Sequence, residues 1–79
     1  MNSTVRKRSL ILKGHKTSVS LEDAFWNALK DIAQEQRVSA SQLAARIDAS
    51  REDHNLSSAI RLFVLEHYRS QISALPKAA

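Results

Sequence analysis

Residues 15–22, HKTSVSLE, alternate with a period of two: Val19 and Leu21 share a parity with Thr17, and Lys16, Ser18 and Ser20 take the other. That is the pattern of a half-buried strand. After it the period becomes helical. Phe25, Leu29, Ile32 and Ala33 fall on one face with Trp26 on its flank, so a first helix should start just after Leu21 and end near Gln36. Ser20 or Glu22 can serve near its cap, and Glu22 and Asp23 suit its positive end. Ser39 with Gln42 three residues on forms a capping box, and Ala40, Leu43, Ala44 and Ile47 carry a second helix to about Ser50. Asn55 can cap a third helix, in which Leu56, Ala59, Ile60, Phe63, Val64 and Tyr68 recur at helical spacing. Leu62 and Leu65 widen that stripe beyond what one thin layer covers, which points to a helix central to the core and shared between two chains. Pro76 closes the ordered part.

A lone strand leaves a row of backbone N–H and C=O groups without partners. Two pairings are open. The apolar run LILK, residues 10–13, can form a strand that Gly14 turns back onto 15–21, although Lys13-Gly14 is not among the strong hairpin dipeptides. A second chain can also supply the same strand, and the two arrangements can coexist. Residues 1–9 are polar and basic without periodicity and read as a flexible arm.

Composition narrows the function. The chain has 79 residues and no cysteine, so it reads as one domain with a small core, without disulfides or a thiolate zinc site. Oligomerisation is the remaining route to a larger core. His15, His54 and His67 lie on three segments without ligand spacing, so no metal is expected. His67 reads as a core-edge residue, and His15 lies where it can touch a phosphate. A single glycine rules out a phosphate-cradling Gly-rich loop, and no nucleophile elbow is present, so neither catalysis nor a cofactor is expected. No apolar run reaches membrane-spanning length and no secretory h-region is evident, which suggests a cytoplasmic protein. A membrane-surface helix is the alternative for the third helix, but Arg61 and Arg69 are its only clear bases and Glu66 opposes them, so core burial is the better reading.

The net charge of +4 is unevenly spread: +5 over residues 1–20, −3 over 21–55 and +2 over 56–79. A basic N-terminal stripe is the footprint of a phosphate-binding surface, with a solvated tail as the bland alternative.

The order of basic arm, strand, helix, Ser-x-Ser turn and helix resembles the ribbon-helix-helix family of bacterial DNA-binding proteins, over HKTSVSLEDAFWNALKDIAQEQRVSASQLAARIDAS. The added third helix, NLSSAIRLFVLEH, resembles a small bacterial subfamily. The resemblance implies a mainly α fold: a basic arm over 1–14, a dimerisation and DNA-binding domain over 15–72 and a tail over 73–79. It implies a homodimer whose strands pair antiparallel across a two-fold axis, with Val19, Leu21, Phe25, Leu29, Ile60, Phe63 and Val64 in a shared core. The ribbon would enter the major groove with Lys16, Ser18 and Ser20 outward. Lys16 can donate to guanine O6 and N7, whereas the serines discriminate weakly. Ser39, Ala40 and Ser41 would hold a backbone phosphate at the second helix start, and Arg6, Lys7, Arg8 and Lys13 would track neighbouring phosphates. Trp26 would pack on the partner chain or serve as an exposed anchor for a third protein. The function implied is a sequence-specific transcriptional regulator, a repressor or autoregulator, with double-stranded DNA and its own second copy as partners and two dimers on adjacent half-sites. A dimeric protein-interaction module with weak or lost DNA binding is the alternative.

Overall fold

The computed structural model of the chain describes residues 4–51 and 55–74. Its elements are β1 (Val5–Leu12), β2 (His15–Glu22), α1 (Asp23–Glu35), α2 (Ala40–Ser50) and α3 (Leu56–Ala74). β1 and β2 form an antiparallel hairpin in which Leu12 faces His15, Leu10 faces Thr17, Arg8 faces Val19 and Arg6 faces Leu21.

One edge of β2 is therefore paired within its own chain. Residues 5–12, expected as part of a flexible basic arm, are a strand, and the hairpin is longer than LILK alone suggests. Its turn is the two-residue loop Lys13-Gly14, with positive φ at both positions, +52° and +80°. Positive φ at both central residues is the mark of a type I′ turn, whose twist matches that of the strands it joins. Gly14 takes this conformation freely, while Lys13 takes it at some steric cost.

The helices fall where their patterns put them. α1 follows β2 without a loop, and Glu22 is its N-cap residue. α1 ends in a Schellman motif: Val38 N–H donates to Ala33 O and Arg37 N–H to Gln34 O, with Arg37 at φ +58°. Ser39 caps α2 in the expected box, its Oγ accepting from Gln42 N–H at 3.0 Å while Gln42 Oε1 accepts from Ser39 N–H at 2.8 Å. Asn55 Oδ1 caps α3 by accepting from Ser58 N–H at 2.8 Å.

One core joins all five elements. Leu10 and Leu12 of β1 and Val19 and Leu21 of β2 pack with Leu29, Ile32, Ala33, Leu43, Ala44, Ile47, Leu56, Ala59, Ile60 and Val64. Of the residues expected in the core, Val19, Leu21, Leu29, Ile60 and Val64 are buried, and Phe25 and Phe63 are half-buried against it. Trp26 also packs within its own chain, with Arg8 and Lys30 over its ring at 5.5 and 5.7 Å. Leu62 and Leu65 depart from the core reading of α3: they are 46% and 49% exposed. Periodicity gives the width of an apolar stripe but not the number of neighbours available to cover it.

Candidate nucleic-acid interface

Strand parity builds the site. In the hairpin register, Lys7 faces Ser20, Ser9 faces Ser18 and Ile11 faces Lys16. All six are exposed, and their side chains share the face turned away from the core, because Leu10, Leu12, Val19 and Leu21 occupy the other. Lys16, Ser18 and Ser20 therefore stand together on the outer face, as their parity predicts. The other half of that face, Lys7, Ser9 and Ile11, is not among the outward strand residues expected from the sequence. Its signal is the alternation that places Leu10 and Leu12 on one parity, obscured because Arg6 and Arg8 share that apolar parity.

Arg6 and Arg8 share the parity of the core face, and of the two only Arg8 is withdrawn from solvent, Arg6 keeping 58% of its side chain exposed. They point to the core side, where Arg8 donates from Nη2 to Asp23 Oδ1 and, at 3.4 Å, to Leu21 O. Arg8 is only 16% exposed and Arg6 Nε lies 3.7 Å from the same Asp23 oxygen. Arg8 Nε is buried with no hydrogen-bond partner among the described residues. The guanidinium is held in place between Asp23 and the Trp26 face. Lys7 is exposed on the outer face and Lys13 in the turn.

The start of α2 lies against the ribbon. Ser41 Oγ accepts from Ile11 N–H at 3.2 Å, so the segment Ser39–Ser41 sits at the outer edge of β1 near the turn. The first amides of α2 and the helix dipole there favour an anion. On the opposite edge, Ser20 N–H donates to Ser57 Oγ at 3.0 Å and Ser20 O accepts from Arg61 at 3.1 Å. α2 and α3 thus brace the two edges of the hairpin.

The open end of the hairpin carries two carboxylates whose charged forms are favoured. Hydrogen bonding from its own backbone amide, then from Arg61, holds Glu22 below its ordinary value of 4.5. Hydrogen bonding from Arg8, with the charge of Arg6 added, holds Asp23 below 3.8. A carboxyl depressed by folding contributes stability above its unfolded pKa and loses it as pH falls through the folded value. Urea-unfolding midpoints should stay level from about pH 7 to about pH 5 and fall below that window. Asp23→Asn should flatten part of the acid limb; an unchanged acid limb would remove Asp23 from this account.

Among the described residues no cluster of three or more His, Cys, Asp or Glu could hold a metal ion, and no helix is long and apolar enough to cross a membrane. His54, which the sequence gives no ligand partner, lies outside the described residues.

Comparison with known proteins agrees with this architecture. The family model described as "Ribbon-helix-helix domain" matches residues 5–68. No curated protein matches the chain. The solved structure of an uncharacterized protein from Bordetella pertussis Tohama I is similar at 32% identity with a TM-score of 0.76. The match covers 94% of this chain and 64% of that one, so the chain spans less than two thirds of that protein.

Proposed function

Because the chain belongs to the ribbon-helix-helix family, we propose that it is a sequence-specific DNA-binding transcriptional regulator that lays the β1–β2 hairpin in the major groove. The observation that carries the reading is the outer face of that hairpin. Two lysines, three serines and one isoleucine stand in register on a two-stranded ribbon, with a helix N-terminus braced at its edge. A major groove about 12 Å wide admits a ribbon of this kind.

Lys7 and Lys16 donate to guanine O6 and N7, Ser9, Ser18 and Ser20 adapt to either base pair, and Ile11 meets a thymine methyl. The Ser39–Ser41 segment binds a phosphate, with Lys13 on a neighbouring one. The regulator acts as a homodimer in the cytoplasm, as a repressor. Since each chain completes its own ribbon, one dimer presents two ribbons to two half-sites. In the strand-sharing arrangement that the family resemblance implies, two ribbons require a dimer of dimers. The alternative, a dimeric interaction module without DNA binding, is favoured by no specific contact.

Selection of bound sequences from a random DNA pool tests the proposal. The expected result is a motif with guanine and thymine in two inverted half-sites spaced by about one helical turn, roughly 10 base pairs, or a multiple of it. Binding should weaken with salt by about 0.9 log units per log unit for each phosphate neutralised. No enrichment and no binding at low salt would overturn the reading.

A further inference from the structure

Ser20 stands exposed on the outer face of the ribbon, and α3 holds its main chain on both sides. Its N–H donates to Ser57 Oγ at 3.0 Å, and its carbonyl accepts from Arg61 Nη2 at 3.1 Å. On a strand edge such groups turn to water unless a side chain reaches them. Ser57 and Arg61 are four residues apart on α3, so both project from one side of that helix.

Arg61 acts as a fork. Its Nε donates to Glu22 Oε1 at 3.0 Å, and its Nη2 lies 2.9 Å from the same oxygen while it holds the Ser20 carbonyl. Its guanidinium carbon lies 5.9 Å from the centre of the Phe25 ring. One side chain thus ties α3 to the edge of β2, to the N-cap of α1 and to the first turn of α1. The Arg61 and Glu22 side chains are only 30% and 27% exposed, so this cation is engaged inside the fold rather than offered to a phosphate.

The anchors of the ribbon are diagonal. Ser41 of α2 holds Ile11 N–H at the turn end of β1, and α3 holds Ser20 at the open end of β2. Apolar burial beneath a ribbon is non-directional and fixes its depth better than its tilt. Hydrogen bonds at opposite corners have defined lengths and angles, and they resist rocking.

We propose that Ser57 and Arg61 are positioning residues for base readout. They set where Ser20 Oγ, with Lys7 facing it across the ribbon, meets the base pairs at the open end, and so determine specificity there without touching DNA. The inference rests on the DNA-binding reading and adds α3 to the parts that set sequence preference. A free serine adapts to either kind of base pair. It discriminates when its main chain is held so that the hydroxyl meets one base edge in one geometry.

Arg61→Lys tests this at constant net charge, because a lysine is a point donor without the planar fork that spans Glu22 and the Ser20 carbonyl. In selection from a random DNA pool, Ser20→Ala first identifies the base positions that depend on Ser20. The preference there should be about fivefold, the lower end for one base pair. Arg61→Lys should lose most of it, while the preference set by Lys16 at the turn end stays. Added to Ser20→Ala, it should lose nothing more, since its effect passes through Ser20. The slope of log affinity against log salt should not change, because no phosphate contact is removed. Ser57→Ala should blur the same positions and speed amide exchange at Ser20, and Ser57→Thr, which keeps a hydroxyl acceptor, should restore both. A brace that serves stability alone would lower the urea midpoint and weaken binding at every position alike. That pattern, or selected motifs identical to the wild type in Arg61→Lys and Ser57→Ala, would overturn the assignment and leave the DNA-binding reading intact. Should Arg61→Lys fail to fold, the two Ser57 variants decide. A wild-type chain that enriches no motif overturns the functional reading, and this inference falls with it.

Discussion

Replacing Leu21 with alanine is expected to cost about 2–5 kcal/mol of folding stability. Leu21 is fully buried in β2, at the point where the strand runs into α1. The removed atoms lose their transfer free energy, and the hairpin, braced on both edges, cannot collapse fully into the space left. A chain of 79 residues has a total stability of about 4–12 kcal/mol at typical per-residue values. One such cavity therefore brings it to the edge of unfolding. The neighbouring Ser20→Ala should change stability by no more than about 0.5 kcal/mol, because only an exposed hydroxyl is lost and the backbone bonds of Ser20 to Ser57 and Arg61 survive. Urea denaturation of both variants checks the contrast. Equal losses would show that the two residues do not lie on opposite faces.

That contrast is legible in the sequence, because a period of two assigns each residue of HKTSVSLE to a face. The capping box at Ser39, the end of α1 near Gln36 and the cap at Asn55 are legible for a related reason: each is a local device whose partners lie within about five residues. What escapes is non-local. β1 carries Arg6 and Arg8 on its core side, which reads as a break in amphipathic alternation until Asp23 and Trp26, fifteen or more residues away, are seen to receive Arg8. The turn depends on Lys13 accepting a left-handed conformation for which Asn or Asp is the usual choice. Half of the candidate reading face is hidden with that strand. Leu62 and Leu65 read as core from sequence because spacing alone cannot tell a stripe covered by the same chain from one left open.

The second large effect concerns binding. Lys16→Glu is expected to lower affinity for the selected DNA by more than the about 1–3 kcal/mol of one good base contact, since an acid facing guanine O6 and N7 adds repulsion to the lost donor. Joined to Lys7→Glu, it should remove binding at physiological salt, because both strands of the ribbon would then present an acid to the groove. Arg46→Glu is the control. It makes the same change in net charge as Lys16→Glu, but the Arg46 guanidinium is tied to Gln36 at the end of α1, and affinity should change little. Net charge acting at a distance would make the two single variants alike, and salt would screen both. The salt slope separates the remaining roles of Lys16. A base-reading lysine leaves the slope of log affinity against log salt nearly unchanged on conversion to alanine, whereas a phosphate-binding lysine lowers it by about 0.9. A drop of that size with Lys16→Ala would move Lys16 from the reading edge to the phosphate set and leave Lys7 and Ile11 of β1 to carry the discrimination.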